Sequence, residues 1–429
     1  MLFKQNSGKF AAGCDLGTEY LQISYCSLED GRVETLSAVA GEEVYNIPTA
    51  LCKKNGVNQW TYGRDAVKAA AQGQGILVEN LLELALDGET VQIEGSPYDP
   101  IALLTLFLKR SMGLFSMVAP LERISAVLIT CEKMNQRLLT VLGQVSAGMR
   151  MKNCRFCFQS HEESFYCYMV SQPQELWAFQ AVLCEYREDS IRVMRMNTNK
   201  RTEPVSVFVE KEEYPFLRMD LMPGSDALRR DRMERMDREF AGIAEQVCQG
   251  HLISSVYLIG DGYSEEWMKE SLRYLCRGRR VFQGNNLYSK GACHGMFLRL
   301  QKTQDEFVQG QVFLGEDKLK ANVGMRVLRR GEDSYYALMD AGVNWFEAEN
   351  TCEFYLMDTN GLELVITPLN GGEPRKEQIL LDGLDAEVLR IRVRVWLENE
   401  RRMKLEVTDQ GFGEFRTATG KMWVQEVEL

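Results

Sequence analysis

No stretch of this sequence is apolar for long enough to span a bilayer. The most apolar segments, such as Ile101 to Leu108, are soon interrupted, and Met1 to Phe10 has no long apolar core of the kind a leader carries. A cytoplasmic protein without a membrane partner is therefore expected. Low-complexity tracts are missing as well, and 45% hydrophobic with 26% charged residues excludes the disordered and fibrous classes. There is no surplus of positive charge: the formal net charge is -11. Arginines cluster at Arg229, Arg230 and Arg232 and at Arg277, Arg279 and Arg280, yet a polyanion would be repelled at long range, so nucleic acid is not an expected partner. The twelve cysteines form no regular framework. Several, including Cys131 and Cys184, lie on apolar strand-like segments and read as reduced, buried hydrophobes rather than disulfides.

What is present is length. At 429 residues and 49.0 kDa the chain exceeds one ordinary core, so two or three folding units are expected. Residues 11 to 28 read as a hairpin turning at Gly17-Thr18, with Leu21, Ile23 and Tyr25 alternating with polar neighbours. A strand over Arg32 to Val39 and an extended edge at Asn46-Ile47-Pro48-Thr49 follow. Helical periodicity marks Asp65 to Ala71, Val78 to Leu86 and Pro100 to Leu114, the last beginning on an Asp-Pro cap. Ser125 to Thr130 is a strand apolar on both faces, and Asn135 to Met149 is a helix. Strand Cys154 to Phe158, helix Glu162 to Val170 and a strand or hairpin over Ala178 to Met196 come next. Helix Asp237 to Cys248, strand Ser255 to Ile259 and helix Glu265 to Leu275 complete an α/β region. Beyond Gln311 helical patterns stop. Leu389, Ile391, Val393, Val395 and Leu397 alternate with Arg390, Arg392 and Arg394, then Met403, Leu405 and Val407 return, which predicts an antiparallel hairpin within a β-sandwich.

Two turns carry candidate chemistry. Asp15-Leu16-Gly17-Thr18 ends a strand: an aspartate there can hold a hydrated divalent cation, Gly17 lets backbone N–H groups approach phosphate, and Thr18 adds a hydroxyl. A plain Asp-x-Gly hairpin turn gives the same residues. Ile259-Gly260-Asp261-Gly262 between strand and helix lets phosphate or ribose lie against the backbone, and an ordinary strand-to-helix turn has the same look. A third constellation, Cys154, Cys157, His161 and Cys167, approaches a zinc-knuckle spacing. Because residues three apart on a strand point to opposite faces, and Phe156 and Phe158 suit a core, zinc is not the expected occupant.

The order of these pieces resembles the actin-like ATPase superfamily, and most closely its DnaK-type, heat-shock 70 kDa-like chaperone branch. Gly13 to Thr18 looks like the first phosphate loop, and Ala126 to Thr130 with Asn135-Gln136-Arg137 looks like the strand and Asn-x-x-Gln-Arg segment after it. Ala147-Gly148-Met149 with His161-Glu162-Glu163-Ser164 is similar to the stretch reading Ala-Gly-Leu and Asn-Glu-Pro-Thr. Val256 to Gly262 looks like the adenosine loop, Ser289 to Gly295 like the Gly-Ala helix start, and Leu389 to Gly413 like the last hairpin of the peptide-binding sandwich. The resemblance implies an actin-like ATPase fold, two similar ribonuclease-H-like lobes over residues 1–310 and reduced between about 196 and 250. A linker over 311–317 and an all-β sandwich over 318–429 follow. It implies Mg-ATP or Mg-ADP held by Asp15, Gly17, Thr18, Glu162, Glu185, Gly260 and Gly262, with Asp15 the indirect magnesium ligand. Val343, Trp345 and Phe346 are either anchors for an extended peptide segment or simply core.

The departures weigh on activity. Where the family has Asp-x-Gly-Gly-Gly-Thr, this chain has Leu183 to Ser190 without glycine, so side chains would obstruct backbone approach and Glu188 and Asp189 would repel phosphate. Glu19 replaces a threonine, the cationic lysine has no counterpart in Val78 to Glu83, the linker keeps only Val312, Phe313 and Leu314 as apolar anchors, and a lidless sandwich is expected. The expected function is a protein-binding scaffold or chaperone-like module with weak or no ATP hydrolysis. An active chaperone-type ATPase and an actin-like filament former are the alternatives, and oligomeric state, client and pathway are not legible.

Overall fold

Phe10–Leu16 (β1), small and buried through its middle, turns through Gly17, Thr18 and Glu19 into antiparallel Tyr20–Ser27 (β2), the expected hairpin. The computed structural model describes residues 9–39, 41–218, 224–263, 266–301, 310–357, 361–369, 371–383 and 388–429. The chain divides into two units: Met1–Asn197 with Val209–Val308, and Thr198–Phe208 with Gln309–Leu429.

In chain order β2 is followed by Val33–Thr35 (β3), Ile47–Pro48 (β4), Leu51–Lys54 (β5), Trp60–Tyr62 (β6) and helix Gly63–Ala71 (α1). Then come Gly75–Val78 (β7), helix Leu81–Asp87 (α2), the small hairpin Val91–Ile93 (β8) and Ser96–Tyr98 (β9), and helix Pro100–Met112 (α3). The expected strand at Arg32 to Val39 is thus only three residues long and lies near the start of that range. Ile124–Cys131 (β10), helix Gln136–Met149 (α4), Arg155–Ser160 (β11) and helix His161–Val170 (α5) close the first lobe. Its sheet runs β3-β2-β1-β10-β11, with β10 parallel to β1 and β11 parallel to β10. Asp99 caps α3 by accepting from the Ile101 N–H at 3.0 Å, and Pro100 at the first helical position gives up no hydrogen bond. With its 3-10 extension to Met117 this helix is long and apolar enough to cross a membrane by length and composition, which the interrupted sequence pattern did not suggest. Leu103, Leu104, Phe107 and Leu108 are buried, and the helix packs on α2 and α4.

The second lobe repeats the plan. Gln180–Tyr186 (β12), Ser190–Asn199 (β13), Val205–Pro215 (β14), helix Asp226–Cys248 (α6), Ile253–Ile259 (β15), helix Glu270–Leu275 (α7), Arg280–Gln283 (β16) and helix Leu287–Gln301 (α8) follow in order. The sheet reads β14-β13-β12-β15-β16, the same third-second-first-fourth-fifth order as in the first lobe. Again the second strand is antiparallel to the first, and the fourth and fifth are parallel. Helix α6 starts at Asp226, well before Asp237, because its first turns are charged and carry no apolar stripe to reveal them. Its later residues Phe240, Ala244 and Val247 join Val182, Val193 and Val256 in the lobe's core.

Helix α8 returns to the first lobe and lies directly on β1. A Cβ on Gly13 would come 2.3 Å from the Cys293 amide nitrogen, and one on Gly291 would come 2.0 Å from the Ser164 carbonyl of α5. Only glycine allows these backbones to cross so closely.

In the second unit Gln311–Phe313 (β17) pairs parallel with Val205–Val207 of β14, whose first residues are counted here. Ala321–Arg329 (β18), Glu332–Met339 (β19), Glu349–Met357 (β20), Gly361–Pro368 (β21), Arg375–Leu380 (β22), Val388–Asn399 (β23), Arg402–Asp409 (β24) and Met422–Glu428 (β25) follow. They make two four-stranded sheets, β19-β18-β21-β22 and β20-β23-β24-β25, whose named pairings are antiparallel. Leu364 and Ile366, and Ile391, Val393 and Val395, are fully or almost fully buried while the arginines between the latter face outward, as the period-two pattern predicts.

Candidate functional site

The parallel strands β1, β10 and β11 end side by side, and so do β12 and β15, bringing Asp15, Glu132, Glu162, Glu185 and Gly260 to the carboxyl ends of the two central sheets. In open α/β sheets this is where ligands bind.

Asp15 is half-buried near the end of β1, and its Oδ1 lies 2.7 Å from Nε2 of His161, the first residue of α5. Ser160 starts that helix by accepting from the Glu163 N–H. The His161 ring stacks on Tyr288 with centroids 3.9 Å apart and planes 11° from parallel. Tyr288 donates from its hydroxyl to Glu185 Oε2 at 3.1 Å. Burial, with the Glu185 charge added, pushes the Tyr288 phenol well above its ordinary value, so it serves as a neutral donor.

Glu185 also lies 3.7 Å from Arg192 of β13. Arg192 pairs with Glu132, just beyond β10, and Arg187 grips the same carboxylate with both terminal nitrogens, at 2.9 and 3.3 Å. Burial works against the charge on Arg192, but Glu185 and Glu132 outweigh it and hold the guanidinium more firmly protonated than usual. For Glu132 burial would raise the pKa, and the two arginines bring it below the ordinary carboxylate range. Glu162 is 2% exposed, and its Oε2 is 3.0 Å from Lys211 Nζ of β14. A buried carboxylate stripped of its cation would cost about 3–5 kcal/mol.

Gly260 sits after β15 at φ +106, its N–H donating to Asn285 Oδ1 at 3.0 Å. A Cβ on Gly260 would lie 2.4 Å from the Tyr186 carbonyl oxygen, and one on Gly262 would lie 2.4 Å from the Tyr186 ring. Tyr186 ends β12, hydrogen-bonds through its hydroxyl to the Leu217 carbonyl, and stands edge-on to Phe216 and Tyr263, each 5.4 Å away. Trp267 closes the cluster by donating from Nε1 to the Gly262 carbonyl at 2.8 Å. The side-chain face of Gly262 is therefore covered by the Tyr186 ring, and that of Gly260 by the Tyr186 backbone and Cβ.

The remaining candidates are placed as follows. Thr18 is half-buried in the β1–β2 turn, where the Gly17 N–H bonds the Tyr20 carbonyl at 2.9 Å. Glu188 pairs with Arg218 at 2.6 Å and is largely exposed. Trp345 is 7% exposed and stands edge-on to half-buried Phe346, while the carbonyl of half-buried Val343 accepts from the Leu319 N–H. Of the zinc-like set, His161 is engaged by Asp15 and Cys157 packs with Ala11, Cys26 and Ala292. Among the described residues no group of three or more histidine, cysteine, aspartate or glutamate side chains is arranged to hold a metal ion. None of the twelve cysteines is joined in a disulfide.

Sequence reasoning did not find Glu132, Tyr186, Arg187, Arg192, Lys211 or Tyr288 as parts of one cluster. The one local signal was the replacement of a glycine-rich turn by Tyr186-Arg187 and the nearby Arg192.

Residues 32–316 match a family model described as the C-terminal part of a family of unknown function, DUF5716. Residues 318–429 match a domain of unknown function, DUF8552. No curated protein matches the chain. The first match covers well over half of the sequence, and the chain belongs to that family.

Proposed function

We propose that this member of the DUF5716 family has the two-lobed plan of the actin-like, DnaK-type ATPases but acts as a protein-binding scaffold or chaperone-like module with weak or no ATP hydrolysis. The strand order repeated in β3-β2-β1-β10-β11 and β14-β13-β12-β15-β16 supports the actin-like part. The two four-stranded sheets after β17 support a β-sandwich that would receive a protein or an extended peptide segment.

The functional half of the reading rests on Tyr186. A nucleotide needs bare backbone at the second phosphate loop and at the adenosine loop, together with cations free to face phosphate. Tyr186 instead lies on Gly260 and Gly262. Arg187 and Arg192 are committed to Glu132, and Lys211 to Glu162. Asp15 faces His161 where a hydrated magnesium ion would be needed. The residues present do not fit Mg-ATP or Mg-ADP in the family's usual pose, so no catalytic step is assigned to them.

Thermal unfolding with and without millimolar Mg-ATP and Mg-ADP, followed by phosphate release, tests this. A ligand at a hundred times its Kd would stabilise by about 2.7 kcal/mol. The expected result is no shift and no phosphate above background. A shift of several degrees with steady turnover would establish the ATPase reading instead.

A further inference from the structure

Three acidic and three basic side chains meet between the lobes of the first unit, and most of their ion pairs run from one lobe to the other. Glu132 follows β10 and Glu162 belongs to α5, both in the first lobe; Arg187 and Arg192 flank the β12–β13 turn and Lys211 lies on β14, all in the second. Glu132 takes both arginines and Glu162 takes Lys211, and the third acid, Glu185 of the second lobe, is bound by Tyr288 from α8, which packs on the first-lobe strand β1. The Glu132 and Glu162 ion pairs cross from one lobe to the other, the Tyr288 hydrogen bond ties β12 to the helix seated on β1, and the Glu185–Arg192 contact lies within the second lobe.

We infer that this network is a ligand-independent clasp: the chain's own ion pairs hold the two lobes closed across the cleft, in the place where a bound metal and phosphates would otherwise join them. The inference rests on the preceding reading of the cleft as filled. Its physical basis is desolvation. Glu162 is 2% exposed, and the Arg192 side chain is 10% exposed. Neither can release its partner without leaving a charge in a poorly hydrated place, so opening is opposed by more than an exposed ion pair would give. Glu132 and Arg187 are about two-fifths and one-third exposed, and form the part of the clasp that salt can weaken.

The test uses the full chain. A spin label on the exposed Cys276 of the second lobe and another on an introduced Lys68→Cys in the first report the interlobe distance by pulsed electron resonance. Without nucleotide, one narrow distribution is expected. Glu132→Gln should broaden it toward longer distances, Glu132→Gln with Lys211→Met should do so further, and the charge-keeping Glu132→Asp should broaden it less than Glu132→Gln does. High salt should broaden the unsubstituted protein in the same direction. Distributions for Glu132→Gln and the double variant that stay as narrow as that of the parent would overturn the clasp. If those variants do not fold, Arg187→Gln, which removes the partly exposed arm of the Glu132 pairing, takes their place, and a distribution as narrow as the parent's overturns the clasp. A distribution that is broad in the parent and narrows only on adding Mg-ADP would overturn the clasp and the functional reading together. Binding of Mg-ADP to an already narrow distribution would defeat the functional reading alone.

Discussion

A Cβ added to Gly262 would stand 2.4 Å from the ring of Tyr186, so the side chain that ends β12 occupies the space that the glycine leaves open. The glycine is matched to an aromatic side chain of its own protein, and this contact joins the turn after β15 to the core containing Phe240, Tyr263 and Trp267.

Gly262→Ala should therefore cost about 1–3 kcal/mol by overpacking. Gly143→Ala, at an exposed position inside α4 with no atom within 4 Å of the new Cβ, should instead stabilise by about 0.5–1 kcal/mol. Urea unfolding of the two variants checks both signs. Equal effects would mean that Tyr186 can move aside at little cost.

His294 supplies a pH dependence. Burial beside Tyr168 in α5, with Lys290 one turn earlier adding its charge, lowers its pKa to about 4. An unfolded histidine titrates near 6.5, so between about pH 6.5 and 4 the unfolded chain binds the extra proton. Stability contributed by the neutral ring is complete above that window and is lost as pH falls through it. His294→Gln should flatten the slope there, read as the midpoint of urea unfolding against pH.

Asp237 of α6 caps α7, accepting from the N–H groups of Lys269, Glu270 and Ser271 at 3.0, 2.8 and 3.0 Å. Burial would raise its pKa, but the Ser271 hydroxyl and these N–H groups bring it below the ordinary carboxylate value. With the folded pKa depressed, its stabilisation is present above about pH 4, the unfolded carboxylate range, and disappears as pH falls through the folded pKa. Asp237→Ala leaves three N–H donors without this acceptor and should cost about 1–3 kcal/mol at neutral pH. The loss relative to the parent should shrink in acid.

Much of the first unit was legible because its signals are local. The alternation at Leu21 and Ile23, and the apolar run inside β10, needed no partner to be recognised. The Asp99-Pro100 cap likewise announces α3. The start of α6 was not legible, since Asp226 to Met236 is charged around most of its circumference. In the candidate site, the loss of glycine after Leu183 was visible, but not which side chain would fill the space. Glu188 and Asp189 drew attention through their charge, whereas the space is taken by Tyr186. Glu132 and Arg192 lie far apart in sequence, and no spacing rule pairs them. His161 reads as a zinc candidate until β1 and β11 are seen to flank the same strand, β10, which brings it to Asp15.

The second unit separates a core residue from a surface one. Trp345 is 7% exposed and Phe415 is 98% exposed. Trp345→Ala should cost about 3–5 kcal/mol in the unfolding of the second unit, while Phe415→Ser should change stability by no more than about 0.5 kcal/mol. A Trp345 variant of unchanged stability that loses binding of extended peptides would restore the peptide-anchor role to that position.

The most direct measurement of the central claim is calorimetric titration of Mg-ADP into the full-length protein at neutral pH. With Tyr186 seated on Gly260 and Gly262 and the cleft's cations paired internally, no saturable heat is expected up to millimolar nucleotide. A one-to-one isotherm that Tyr186→Trp abolishes would contradict the account, because it would show that nucleotide reaches the backbone that Tyr186 covers.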